Sequence, residues 1–195
     1  MPTPGQLRRT IRQRRRQLEP AASLACARQM AKQARSLHAI LGSRHIAAYL
    51  AADGEIDPGP LMDLLWSLGK TLYLPVLAPF SRRKLWFARY EPGDTLVYNR
   101  YGIPEPQRRR LVKPRDLDLV LTPLVAFDTA GHRMGMGGGY YDTSFAFLRA
   151  RRHWHKPHLY GLAYEFQKLA AIHPNSWDIP VDAVITEAAV YRANG

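Results

Sequence analysis

The chain is 195 residues long and 46% hydrophobic, which favours one compact domain over residues 1–195, with a sizeable core, and argues against wholesale disorder. Its single cysteine, Cys26, excludes an intrachain disulfide and suits a reducing cytoplasm, and neither a secretory signal nor an apolar run of about 18 residues is present. The formal net charge of +12 favours an anionic partner, such as nucleotides, polyglutamates, nucleic acid or acidic lipid, without choosing among them.

The first predicted element is a basic helix over residues 6–18. Leu7, Ile11 and Leu18 lie on one side of such a helix, which leaves most of its arginines on the other side. These are Arg8, Arg9, Arg12, Arg14, Arg15 and Arg16. They form either a solvated face or a face from which one or two side chains reach an anionic ligand. RNA binding is disfavoured, because no aromatic side chains interleave with the arginines to stack on bases.

The next segment predicts a helix over residues 21–41 and a buried strand over 45–50. Asp57 followed by Pro58 is typical of a helix start, with a side-chain cap and then proline in the first turn. Glu55 therefore lies at the carboxyl end of the first strand, where open α/β sheets bind ligands. The alternative is that Glu55 is an exposed loop acid.

Further short apolar runs predict strands along the rest of the chain. They cover residues 71–74, 85–90, 117–122, 159–163 and 183–186. Strands that alternate with helices predict an α/β fold with a largely parallel sheet covered on both faces. The irregular connection over residues 91–116 is long for a compact domain, and such connections are often functional.

A glycine-rich loop over residues 133–142 follows the strand 117–122 and precedes a helix-like pattern over residues 140–151. Its glycines are Gly135, Gly137, Gly138 and Gly139. A loop of this kind can present backbone N–H groups to phosphate at the positive end of a helix, with Arg133 as a cationic clamp and Asp142 as a magnesium ligand. It matches neither the P-loop nor the strict dinucleotide pattern. A tight turn without a ligand is the alternative.

Several motifs, taken in order, resemble the 5-formyltetrahydrofolate cyclo-ligase family from about residue 7 to residue 186. The most specific are the stretch Thr122–Asp128, then Gly131, then residues 133–142. Supporting motifs are residues 53–57, 73–76, 103–106 and 177–180. The resemblance implies a single three-layer α/β/α sandwich and an enzyme that uses ATP and Mg²⁺ to convert 5-formyltetrahydrofolate to 5,10-methenyltetrahydrofolate. ADP and phosphate are released, and the intermediate is a phosphorylated formyl group, an iminium phosphate.

The resemblance also implies residue roles. The ATP-binding residues are Arg8, Arg133, Met134, Gly135, Met136, Gly137, Gly138, Gly139, Tyr140 and Tyr141. Arg133, Tyr140 and Asp142 are implied to be catalytic. Glu55 and Tyr101 are implied to contact the folate. Asp142 is implied to bind Mg²⁺, with Asp182 as a second candidate metal ligand.

The chain departs from the family pattern in places. Pro4 and Gly5 stand near the position of a common lysine, which Arg12 could replace. Met136 or Gly138 stands where some members have a basic loop residue. The expected partners are ATP and a folate that could be polyglutamylated. A cytoplasmic monomer without membrane or nucleic-acid partners is expected. The alternatives are a basic nucleotide- or RNA-binding module without catalysis, or a related ATP-using enzyme with another acceptor.

Overall fold

The computed structural model describes residues 3–78, 81, 83–99, 102–108, 110–150 and 156–193. Tyr101, a predicted folate contact, lies outside the described residues. The helices are α1 (Pro4–Arg16), α2 (Pro20–Ala34), α3 (His38–Gly42), α4 (Gly59–Ser67) and α5 (Tyr140–Ser144). Short 3₁₀ helices cover Pro114–Asp116, Ala146–Ala150 and Glu165–Gln167.

The strands form one large sheet and two small pairs. They are β1 (His45–Ala47), β2 (Thr71–Leu77), β3 (Leu85–Tyr90), β4 (Leu96–Tyr98), β5 (Pro104–Pro106), β6 (Leu111–Val112), β7 (Leu119–Pro123), β8 (Ala126–Phe127), β9 (Arg133–Met134), β10 (His158–Leu162), β11 (Ala183–Ile185) and β12 (Val190–Arg192). Within the described ranges the large sheet has the order β12-β11-β10-β7-β1-β2-β3-β6. Its five central strands, β11 to β2, are parallel, and β3, β6 and β12 pair antiparallel towards the edges. The predicted α/β/α fold with a largely parallel sheet is confirmed.

The central strands are apolar throughout because both faces of the sheet are covered. In β7, Leu119 and Leu121 point into one cluster with α2 and α4, whereas Val120 points into a second cluster with Phe127 and Phe145. Successive strand residues alternate between faces, so each face of β7 has its own core. All three residues are fully buried, with 0% exposure. This explains why the strand is a continuous apolar run.

The N-terminal helix begins earlier than expected, at Pro4. The Thr3 hydroxyl accepts a hydrogen bond from the Gln6 backbone N–H, and the Gln6 side chain accepts one from the Thr3 N–H. This capping box satisfies two N–H groups that a helix start leaves free. The buried side of α1 places Ile11 against Val125 and Ala126, next to the hairpin that leads to the glycine loop.

Three predicted elements need correction. The single helix over residues 21–41 is two helices, because the extended backbone at Leu37 turns the chain and buries Leu37 and Ile40 in the core. The connection over residues 91–116 is less irregular than expected, since β4 and β5 form a hairpin and β6 joins the large sheet. The helix expected over residues 140–151 is the short α5 followed by a 3₁₀ helix. Among the described helices, none is long and apolar enough to cross a membrane.

Leu121→Ala is expected to lower the free energy of unfolding by about 2–5 kcal/mol, because it removes buried side-chain atoms and leaves a cavity in the centre of the sheet. Leu68, which is 44% exposed, provides a matched control. Leu68→Ala should change the free energy by about 0.5 kcal/mol or less. Urea denaturation of both variants measures the difference, and equal losses would contradict this description of the core.

Candidate active site

One cavity of about 710 Å³ lies where the chain leaves the carboxyl ends of β1, β2 and β7. Its walls come from the start of α1, from residues 49–55 and 74–77, from the β4–β5 hairpin, from the glycine loop and from residues 172–178. This is the position at which open α/β sheets bind ligands. The predicted site residues that line it are Arg8, Glu55 and every member of the stretch 133–142.

The glycine loop starts from a hairpin and ends in a helix. β8 and β9 pair antiparallel, and Arg133 and Met134 form β9. Gly137 and Gly139 have positive φ angles of 95° and 66°, a conformation that favours glycine, and Gly139 is the N-cap of α5. A Cβ atom built on Gly135, Gly137 or Gly139 would meet no atom within 4 Å. The loop backbone therefore has free space beside it in the cavity wall, as close approach to a ligand requires.

Arg133 and Asp142 join the two ends of this loop. Nη2 of Arg133 donates to Oδ1 of Asp142 at 2.7 Å, and the arginine side chain is only 6% exposed. Nη1 of Arg133 is buried and has no hydrogen-bond partner among the described residues. A buried guanidinium donor without a partner is costly, and Arg133 lines the cavity, so an anion bound beside it would satisfy this donor.

A second acid, Asp178, lines the cavity together with Asp142, and the sequence interpretation missed it. The backbone N–H of Ile179, the next residue, donates to Oδ1 of Asp142 at 3.1 Å, so the two acids lie on touching segments. Oδ2 of Asp178 accepts from the backbone and side-chain nitrogens of Asn175. Carboxylate oxygens beside a phosphate site are the donors that Mg²⁺ prefers. The described residues contain no group of three or more acidic, histidine or cysteine side chains arranged for a metal.

Asp182, the predicted second metal ligand, is not part of the cavity wall. Its Oδ2 accepts from the backbone N–H of Leu159 at 2.6 Å and lies 3.6 Å from Nδ1 of His158. Asp182 therefore supports the start of β10, four residues beyond the acid that reaches the cavity. As a metal ligand Asp182 stays a prediction from the sequence, and Asp178 is the acid of this stretch that lines the cavity.

Glu55 lies beside two tyrosines in the cavity. Its Oε2 accepts from the backbone N–H of Ala52 at 3.2 Å, and the Tyr49 hydroxyl donates to the carbonyl of Ile56 at 2.8 Å, which fixes the chain directly after Glu55. Burial raises the pKa of Glu55 above its ordinary value. Burial, and then the negative charge of Glu55, also raise the pKa of Tyr141, so that its phenol stays protonated as a donor.

The basic helix α1 contributes one arginine to the cavity wall. Nε of Arg8 donates to the carbonyl of Gly135 at 2.8 Å, which fastens α1 to the glycine loop. Pro4 also lines the cavity. Arg12 does not, and its guanidinium binds Asp53 instead.

Some lining residues were given no role by the sequence, namely Ile103, Glu105 and Trp177. Trp177 is 60% exposed and Ile103 is 46% exposed, and with Met136, which is 51% exposed, they place apolar surface in the cavity wall. Glu105 is buried and accepts from the backbone of Leu77. The motifs at residues 103–106 and 177–180 marked these positions, but nothing in them indicated which side chains face inwards.

Comparison with known proteins identifies one enzyme family. The model of the 5-formyltetrahydrofolate cyclo-ligase family matches residues 2–187. The 5-formyltetrahydrofolate cyclo-ligase of Escherichia coli (strain K12) is 40% identical over 186 residues, which cover 93% of this chain and 99% of that protein. The yeast protein of the same name, from Saccharomyces cerevisiae, is 30% identical over 203 residues and 95% of each chain.

Solved structures agree with the fold. The NMR structure of 5,10-methenyltetrahydrofolate synthetase from Aquifex aeolicus has a TM-score of 0.80 and 31% sequence identity, with coverage of 98% of this chain and 93% of that chain. A synthetase of the same name from Mycoplasma pneumoniae has a TM-score of 0.73 at 22% identity and covers 95% of this chain and 99% of that chain. At that identity the second likeness concerns the fold alone.

Arg133→Gln is expected to weaken the binding of inorganic triphosphate by about 10- to 100-fold, because the variant loses a buried cation that has a free donor. Isothermal titration calorimetry measures the affinity. Arg28→Gln is the matched control, since Arg28 is exposed on α2 and far along the chain from the loop. Equal affinities for the two variants would remove Arg133 from the anion site.

Proposed function

Because the chain belongs to the 5-formyltetrahydrofolate cyclo-ligase family, we propose that it converts 5-formyltetrahydrofolate to 5,10-methenyltetrahydrofolate with ATP and Mg²⁺. The observation that supports this most is the unpaired, buried Nη1 of Arg133, beside a cavity that is also lined by the glycine loop and by Asp142 and Asp178. These groups suit a nucleotide phosphate chain, and the same cavity has Glu55 and apolar surface for an organic substrate. Phosphate donor and acceptor can therefore meet in one cavity.

The phosphate end of the site is proposed to consist of the glycine loop, Arg8 and Arg133. The loop backbone approaches the phosphates, and Arg133 contributes positive charge where charge spreads over the transferring group. Tyr140 and Tyr141 follow the glycines on α5 and line the same cavity. Asp142 and Asp178 would hold Mg²⁺, which when bound neutralises phosphate charge. Their placement on touching segments fits a cation bound at two or fewer protein carboxylates with phosphate and water completing the shell.

The organic end of the site is proposed to hold the folate through Glu55, with Tyr141 beside it. A pterin ring presents N–H donors, which a carboxylate accepts, and the phenol of Tyr141 remains a donor because its pKa is raised. Exposed apolar side chains such as Trp177 offer surface to the aromatic parts of the substrate. Tyr101 stays a sequence prediction for the same role.

In the proposed reaction the formyl oxygen attacks the γ-phosphorus of ATP, a P–O bond forms, and the bond to ADP breaks. N10 then attacks the formyl carbon and loses its proton, while the C–O bond breaks and phosphate leaves. The first step converts the formyl oxygen, which is a poor leaving group, into a phosphate, which is a good one. Little covalent chemistry falls to the protein, so this chain's residues act by placing the two substrates in line, by supplying positive charge and by excluding water.

The structure gives little support to the alternative of an RNA-binding arm. Of the arginines on α1, Arg8 binds the glycine loop and Arg14 stacks over Phe166 at 4.3 Å. Arg12, Arg15 and Arg16 bind Asp53. The basic face is thus used largely within the molecule. A polyglutamylated substrate, a monomeric state and a cytoplasmic location remain predictions from the sequence.

The function is tested by mixing the purified protein with 5-formyltetrahydrofolate, ATP and MgCl₂ and following the near-ultraviolet absorbance of the methenyl product. We expect absorbance to rise only when all three are present. Omission of each component, and addition of EDTA, are the controls. An increase that is equal without ATP would contradict the phosphorylated intermediate, and no increase at all would contradict the proposed reaction.

Asp178→Asn and Asp142→Asn are each expected to lower turnover by about 100-fold or more, because each removes a charge that holds the metal at the transferring phosphate. Asp182→Asn is the control, since it makes the same chemical change four residues further along, outside the cavity. Turnover is measured over a series of Mg²⁺ concentrations with thermal unfolding as a check on folding. Loss of turnover in Asp182→Asn but not in Asp178→Asn would reverse the assignment.

A further inference from the structure

Three arginines of α1 converge on the carboxylate of Asp53. Nε of Arg12 lies 2.5 Å from Oδ2, Nη2 of Arg15 lies 3.2 Å from the same oxygen, and Arg16 binds Oδ1. Both carboxylate oxygens are therefore taken by cations of one helix. Although Asp53 lies in the cavity wall, its charge is directed at α1 rather than at a ligand.

Arg15 makes this contact important because it is buried. Its side chain is 0% exposed, and its Nε has no hydrogen-bond partner among the described residues. Its remaining donors bind the carbonyls of Asp53 and Leu124, at 3.0 and 3.4 Å. A buried cation without a counter-charge is strongly destabilising, and Asp53 is the carboxylate that Arg15 contacts in the described structure.

The backbone at Asp53 is strained in a way that brings it close to α1. Asp53 has a φ angle of 53°, which no other non-glycine residue shares in the described ranges, and Gly54 follows with 71°. A Cβ on Gly54 would lie 3.0 Å from the carbonyl carbon of Arg15. Strain of this kind persists where surrounding contacts compensate for it, and it is concentrated at functional sites. Here the arginines supply those contacts.

The same helix also fixes the phosphate loop. Arg8, Arg12 and Arg15 follow each other at helical spacings of four and three residues, so they share one face of α1. Arg8 binds the carbonyl of Gly135, whereas Arg12 and Arg15 bind Asp53, two residues before Glu55. About 10 Å of helix, at 1.5 Å per residue, therefore connects the glycine loop with the Glu55 loop.

We propose that Asp53 is a positioning residue for both substrates: through α1 it holds Glu55 and the glycine loop in one geometry. This inference rests on the proposed function, because it takes the Glu55 loop as the folate side and the glycine loop as the nucleotide side. Asp53 itself touches neither substrate in this scheme. Its removal changes affinity for the nucleotide as well as for the folate, even though its neighbour in the chain is the folate acid.

Asp53→Asn tests the link. We expect the KM for 5-formyltetrahydrofolate and the KM for ATP each to rise about tenfold, with kcat within about threefold of the wild type. Calorimetric titration with a non-hydrolysable ATP analogue, without folate, should show a similar loss of affinity. Arg9→Gln is the control, because Arg9 is exposed on the same helix and should leave all three values unchanged.

A second variant tests the same link in case Asp53→Asn does not fold. Arg12→Gln combined with Arg16→Gln removes the two partly exposed partners, which are 35% and 56% exposed, and leaves the buried Arg15 paired. We expect both KM values to rise in the same direction, by about threefold, with the melting temperature close to that of the wild type.

The outcomes separate the possibilities. A fall in melting temperature with unchanged KM values, in either variant, overturns the positioning role and leaves Asp53 as a structural residue. A rise in the folate KM alone overturns the link through α1. An inactive wild-type protein overturns the proposed function and this inference with it, whereas an active wild type with unaltered variants overturns only the inference.

Discussion

The ion pair between Arg133 and Asp142 is the contact on which the rest of the site depends. It closes a ten-residue loop that contains four glycines and would otherwise have many conformations. Asp142 also accepts from the backbone of Ile179, so the same carboxylate brings in the segment that contains Asp178. One partly buried acid thereby joins the hairpin, α5 and the chain between β10 and β11. The loop can then be rich in glycine and still keep one shape.

The structure shows that many of the positive charges bind groups of the protein itself. A net charge of +12 suggested anionic partners, and much of that charge lies in α1. There the arginines act mainly as structural donors to a carboxylate and a carbonyl, with Arg8 and Arg133 close to the cavity. Some of the positive charges therefore stabilise the structure around the site, and others lie where an anionic ligand could bind.

The sheet and the glycine loop could be predicted because both depend on local patterns. Apolar runs predicted β3 with its observed bounds and the other main strands to within a few residues. The glycines predicted a loop that needs positive φ angles. The choice between Asp178 and Asp182 could not be predicted in the same way. The two acids lie four residues apart in one stretch of sequence, and only Asp178 lines the cavity, where its carboxylate accepts from Asn175. The contact between Arg15 and Asp53 joins positions 38 residues apart and leaves no local pattern.

The walls of the cavity come from nearly the whole length of the chain, from Pro4 to Asp178. α1 packs against Val125 and Ala126 and binds the carbonyl of Gly135, 127 residues further along the chain than Arg8, so it has no complete docking surface until those segments are made. The strands β10 and β11, which flank Asp178, are the last parallel strands to be made. During synthesis the basic helix is therefore made well before the glycine loop that Arg8 binds. The cavity is complete only when segments from both halves of the chain have been made.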